Sequence, residues 1–200
     1  DALFVAGTTG ESPTLTDDEK IGLLHSVRRA VGDSTHVLIG SGTYNTAKSV
    51  ELSKRAADAG ADGLVAVTPY YSKPEQRGLV GHFTAIADAT DVPVMLYNIP
   101  GRTGRLIEVR TLVELSGHDN IVAVKDAVMD IDHTSDTVAS APGFAVYSGQ
   151  DSYTMPMMAV GAVGVLFDGD LGHAVARGQG RRGAQQQGQS GECEGGLSHG

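Results

Sequence analysis

Seven short apolar runs, each closed by small or polar residues, recur along the chain as far as Leu166 and limit what it can fold into. They occupy 2–6, 36–39, 63–68, 92–98, 121–126, 144–148 and 162–166. Uninterrupted runs such as Ile121-Val122-Ala123-Val124 suit strands covered on both faces, as in a parallel sheet. Between the runs lie segments with helical spacing. Thr16-Asp17-Asp18-Glu19 matches a capping box and leads into Ile21, Leu24, Val27 and Val31. A second helix is predicted over 46–59, closing at Gly60. Pro74 suits the first turn of a third, whose Leu79, Phe83, Ile86 and Ala87 form a core-facing stripe. Further helices are predicted over 107–116 and 131–140.

Strands alternating with helices argue for an α/β fold with a parallel sheet. A TIM barrel is favoured over an open dinucleotide-binding sheet. No G-x-G-x-x-G follows the first run, and polar residues end nearly every strand instead of gathering at one switch point. In a barrel those ends share one face, so Thr8, Thr9, Tyr71, Tyr97, Lys125 and Ser148 would ring a single mouth.

Charge and composition narrow the function. A formal charge of -9 gives no basic footprint for nucleic acid or an anionic membrane, which favours small-molecule chemistry. Nothing resembles a signal peptide or a membrane span, and the cytoplasm is the expected location. The lone Cys193 rules out an internal disulfide. The seven histidines lack metal-site spacing, so chemistry without metal or cofactor is expected. After Leu166 the chain becomes rich in Gly, Gln and Arg. We expect a catalytic domain over 1–166 and a disordered tail over 167–200, arising from out-of-frame translation, with a flexible functional tail as the alternative.

Two features point to chemistry. Lys125 ends the fifth run, where apolar walls disfavour a charged amine and leave it available as a nucleophile toward a carbonyl. The alternative is a lysine that marks the strand's exit and reaches water along its stem. Gly7-Thr8-Thr9-Gly10-Glu11 brackets two hydroxyls with glycines, which lets N–H and O–H groups converge on an anion; an ordinary glycine-rich turn is the alternative.

Four motifs in order, Gly7-Thr8-Thr9-Gly10-Glu11-Ser12, Thr68-Pro69-Tyr70-Tyr71, Tyr97-Asn98-Ile99-Pro100-Gly101-Arg102-Thr103-Gly104 and Val124-Lys125-Asp126-Ala127, carry a wider resemblance. The chain resembles the pyruvate-dependent class I aldolases, the family of dihydrodipicolinate synthases and N-acetylneuraminate lyase. The likeness implies a (β/α)8 barrel of which strands two to eight are present, while the first strand and the C-terminal helices are missing. It implies that Lys125 forms a Schiff base with pyruvate. Tyr97 would relay protons through Thr8 to Tyr71, a residue that the family lends across a subunit interface. Thr8 and Thr9 would hold the pyruvate carboxylate, and Arg102 the carboxylate of aspartate semialdehyde. Arg102 favours the synthase branch, in lysine and diaminopimelate biosynthesis, over a 2-keto-3-deoxy sugar-acid aldolase. An inactive barrel fragment is a further alternative. The resemblance also implies a homotetramer built as a dimer of dimers. Gln150 replaces an aspartate common in the family. Lys20 and Lys48, at positions matching a lysine-effector pocket, imply weak or absent feedback inhibition.

Overall fold

The computed structural model describes residues 2–167. The expected tail beyond Phe167 lies outside the described residues. Seven parallel strands lie side by side in chain order: β1 (Ala2–Val5), β2 (His36–Gly40), β3 (Gly63–Val67), β4 (Val94–Asn98), β5 (Ile121–Asp126), β6 (Ala145–Ser148) and β7 (Gly164–Val165). The helices between them are α1 (Asp17–Val31), α2 (Thr46–Asp58), α3 (Gln76–Ala87), α4 (Pro100–Thr103), α5 (Val109–Ser116), α6 (Ile131–Ser140) and α7 (Thr154–Ala159). Among the described residues none is long and apolar enough to cross a membrane.

The strands divide their side chains between two cores, as period-two geometry requires. Val37, Ile39, Leu64, Ala66, Val94, Leu96, Val124 and Val146 pack outward with helix residues Leu24, Leu79, Phe83 and Leu112. Phe4, Leu38, Val65, Met95, Tyr97, Ala123 and Tyr147 form a second cluster on the other face. That inner face is concave. The Nζ of Lys125 on β5 lies 5.6 Å from the ring centre of Phe4 on β1. In a flat sheet, four strand spacings would hold those strands roughly 19 Å apart. The sheet is therefore rolled into a partial TIM barrel.

One irregularity sets which way Lys125 points. β4 pairs Val94 with Ile121 and Met95 with Ala123, so Val122 is skipped. In a regular strand Ile121, Ala123 and Lys125 would share a face. The extra residue lets Ile121 join the outer core while Ala123 faces inward, and Lys125, two residues on, follows it.

The expected capping box at Thr16 and Glu19 is formed. Other expectations need correction. The first run is only partly covered: Leu3 is 44% exposed on the first strand of the sheet, which among the described residues pairs only with β2. Pro74 lies outside α3, whose N-cap is Glu75, and Ile107 lies outside α5, whose N-cap is Glu108. The short helices α4 and α7 were not expected.

α2 and α3 meet through His82. Its Nδ1 lies 2.8 Å from the Thr46 hydroxyl, its ring stands edge-on to Phe83, and its Nε2 is buried without a hydrogen-bond partner. Burial pushes this imidazole down to about 4 from 6.5. An unfolded chain takes up a proton there below 6.5, whereas the folded one resists until about 4. The contribution is complete above pH 6.5 and lost as pH falls to about 4; its size is on the order of 3 kcal/mol. Thermal melts across that range should show a fall in Tm that flattens in His82→Gln. An unchanged slope in the variant would show that His82 titrates normally.

Candidate active site

At the C-terminal end of the strands a cavity of about 280 Å³ opens among Phe4, Thr8, Lys20, Tyr70, Tyr97 and Arg102. The first three strands reach it through close backbone approach. A Cβ on Gly40 would stand 2.3 Å from the Ala6 carbonyl oxygen, and one on Gly42 would stand 2.4 Å from the Val67 nitrogen. Glycine alone fits at those two crossings. Turns then lift hydroxyls to the rim: the Glu11 N–H donates to the Thr8 carbonyl and the Ser12 N–H to that of Gly7.

Lys125 is 1% exposed, the largest departure from what a lysine ordinarily tolerates. Its Nζ lies 4.6 Å from the centre of the Tyr97 ring. Tyr97 and Lys125 are register partners on adjacent strands, which places them side by side on the concave face. Both rings flanking the amine, Phe4 and Tyr97, also line the cavity. Lys125 itself does not line that space; its amine lies against the two rings that do, and the space, apolar-walled with polar groups at its rim, has the usual form of a small-molecule site.

Arg102 is presented by α4, a single turn with Pro100 at its start and Gly104 closing it in the left-handed conformation. A Cβ at Gly104 would meet Lys73 Cε at 2.5 Å. Thr103 pins the turn from inside, its hydroxyl donating to the carbonyls of Ile99 and Arg105. The guanidinium stem is exposed and borders the cavity.

The other sequence candidates lie as follows. Thr8 lines the cavity, while Thr9 is exposed and does not. Tyr71 is 93% exposed in a left-handed conformation (φ 66°), turned away from the cavity of its own chain. Tyr70 lines the space instead and stacks edge-to-face on Tyr44, ring centres 5.3 Å apart. Burial and the neighbouring phenol raise the Tyr70 hydroxyl above its ordinary value. Ser148 is fully buried and bonded to the Gln150 carbonyl, away from the rim. Lys20, buried on α1 with Asp17 3.8 Å away, contributes a second cation to the lining. Sequence reasoning passed over Phe4, whose ring helps enclose the amine; its place in the first run was the available signal. No group of three or more His, Cys, Asp or Glu among the described residues could hold a metal ion.

Comparison with known proteins fits this geometry. Residues 1–167 match the profile of the Dihydrodipicolinate synthetase family. The chain is 55% identical over 166 residues to a 4-hydroxy-tetrahydrodipicolinate synthase of Mycolicibacterium paratuberculosis, covering 83% of this chain and 55% of the relative. It thus spans about half the length of the curated relatives it matches. Among solved structures it is similar to dihydrodipicolinate synthase DapA-2 of Bacillus anthracis, with TM-score 0.82, 44% identity and coverage of 93% of this chain and 66% of that one. It is also similar to the chloride-inhibited dihydrodipicolinate synthase of Acinetobacter baumannii complexed with pyruvate, with TM-score 0.82, 39% identity and coverage of 84% and 58%. On the strength of the profile match and these identities, the chain belongs to the Dihydrodipicolinate synthetase family.

Proposed function

We propose that this chain carries the catalytic machinery of a 4-hydroxy-tetrahydrodipicolinate synthase, a lyase that condenses pyruvate with aspartate semialdehyde. The observation that carries the reading is the buried Lys125 amine, set against the Tyr97 ring behind a cavity that Thr8 and Arg102 also line. The Acinetobacter relative binds pyruvate, a 2-oxo acid whose keto carbon an amine can attack.

The steps follow from the groups present. The Lys125 amine adds to the keto carbon, and the hydroxyl of the carbinolamine must leave as water. Tyr97, whose ring lies 4.6 Å from the amine, would donate that proton and later recover one, with the Thr8 hydroxyl able to donate and accept in relay. Loss of a methyl proton gives an enamine whose carbon attacks the aldehyde. The amine of the second substrate then displaces Lys125 by transimination and closes the ring, and no electrons change hands with a cofactor. The Thr8–Thr9 turn supplies donors for the pyruvate carboxylate. Arg102 offers a two-pronged cation to the carboxylate of the semialdehyde, and its place on the cavity rim favours this substrate over a sugar aldehyde, whose hydroxyls need no cation.

Exposure of Tyr71 and Tyr44 supports a homo-oligomer in which a second copy covers this surface and receives Tyr71 at its own site. The paired tetramer implied by the family resemblance is the arrangement we favour. Reduction with borohydride in the presence of pyruvate, followed by mass spectrometry of tryptic peptides, should place the adduct on Lys125 and lose it in Lys125→Arg. Label elsewhere, or no label, would contradict the reading and favour an inactive barrel fragment.

The lysine stem has its own constraint. A Cβ at Gly149 would stand 2.9 Å from both Cγ and Cε of Lys125 and 3.1 Å from the Ala127 methyl. Gly149→Ala should therefore push the amine off the Tyr97 ring and slow adduct formation by about a hundredfold, the cost of a misplacement on the order of 1 Å. Trapping at the wild-type rate in this variant would show that the stem has room to move.

A further inference from the structure

The two strands that carry the reactive groups each end in a buried polar residue on the opposite face. Asn98 follows Tyr97 and is fully buried; Asp126 follows Lys125 and is 2% exposed; the two are register partners. Neither is used by the chemistry above. Buried amides and carboxylates cost stability relative to apolar residues of similar size unless their partners are well placed, so their presence here asks for a reason.

Their partners form one path, hydrogen-bonded from Asn98 to His133 and completed to Asp126 by a charge contact. Asn98 grips the Ile107 peptide at both ends: its Oδ1 accepts the Ile107 N–H at 3.0 Å and its Nδ2 donates to the Ile107 carbonyl at 3.2 Å. The same carbonyl lies 3.1 Å from His133 Nε2 on α6. A carbonyl only accepts, so Nε2 carries a hydrogen, while Nδ1 faces Asp126 3.4 Å from Oδ2 in a charge contact and makes no hydrogen bond. Asp126 also accepts from the Val128 N–H and the Thr134 hydroxyl, each at 3.2 Å. Burial alone would pull His133 down, but the Asp126 carboxylate, the Ile107 carbonyl and Asp130 outweigh it and hold the imidazole above its ordinary value. Backbone bonds complete the junction: Ala127 N–H donates to the Asn98 carbonyl at 2.9 Å, and Gly149 N–H to the Asp126 carbonyl at 2.8 Å.

We propose that Asn98, Asp126 and His133, joined through the Ile107 peptide, are positioning residues that lock the ends of β4 and β5 together and thereby fix the Tyr97 ring against the Lys125 amine. None of the three lines the cavity, so they act from the helix side of the sheet through the backbone of the residues before them. The functional part of this inference rests on Lys125 and Tyr97 acting as proposed above. The junction itself does not.

Two measurements on the 200-residue chain separate those layers. In hydrogen exchange read by mass spectrometry, His133→Ala and Asn98→Ala should speed exchange about tenfold or more together in peptides covering 96–99, 105–109 and 124–128, with β2 and β3 unchanged. No change in those segments, or a uniform change over the whole sheet, would overturn the junction. In borohydride trapping, the maximal rate should fall about tenfold to a hundredfold in His133→Ala while the half-saturating pyruvate concentration moves little. His133→Gln, which keeps an N–H for the Ile107 carbonyl, should recover part of the rate. Trapping at the wild-type maximal rate in both Ala variants would sink the positioning role. A wild-type chain that takes no label at all defeats the functional reading, and the exchange pattern then decides the junction on its own.

Discussion

Everything at the site depends on which face of β5 its lysine occupies. An aliphatic stem with an ammonium tip has a cheap alternative, reaching water past the helices. The pairing of β4 with β5 denies it that route. By skipping Val122, the register sends Ile121 into the layer under the helices and commits Ala123 to the barrel interior. Lys125 follows Ala123. Once inside, the side chain lies among Phe4, Tyr97 and the bare Cα of Gly149, which leave its Nζ against the Tyr97 ring. Each apolar contact in the outer core resists the one-residue slip that would turn the lysine outward, since that slip would also expose Val124 and its neighbours to the wrong layer.

The same period of two explains why the residues flanking the reactive ones are polar. Positions that alternate with Tyr97 and Lys125 point at the helices, and there Asn98 and Asp126 meet Ile107 and His133. Earlier along the same strands the outward positions are Leu96 and Val124, which only pack. Polarity begins where the strands end. That is where packing alone gives least control over the backbone, and directional bonds give most. The loops beyond add rim groups by other means: close glycine crossings at Gly40 and Gly42, and a proline-started, glycine-stopped turn for Arg102.

Much of this was legible in the chain. Strand positions follow from apolar runs because a sheet covered on both faces has no other composition, and the Thr16–Glu19 cap follows from a local motif that needs no tertiary partner. The grouping of Thr8, Tyr97 and Lys125 followed from the convergence of strand ends in a barrel, whereas Arg102 entered only through the family resemblance. What was not legible depends on distant parts of the chain. The skipped Val122 is invisible in a run of four apolar residues. α4 was spelled out by Pro100 and Gly104, yet a four-residue turn is too short for periodicity to reveal. Tyr71 and Tyr70 are neighbours in one motif, and only the left-handed backbone at Tyr71 decides that Tyr70 enters the cavity while Tyr71 faces out. Nothing in the sequence marked His133 and Asp126 as partners, because their burial is imposed by α6 packing on the sheet.

The central claim is that the β5 register delivers one amine to the barrel interior, where it captures a 2-oxo acid. A crystal structure of the chain grown with pyruvate tests it most directly. The account predicts continuous electron density from Lys125 Nζ to the keto carbon, inside the barrel and beside Tyr97. Density for Lys125 turned toward the helix layer, or pyruvate held away from that amine, would contradict it.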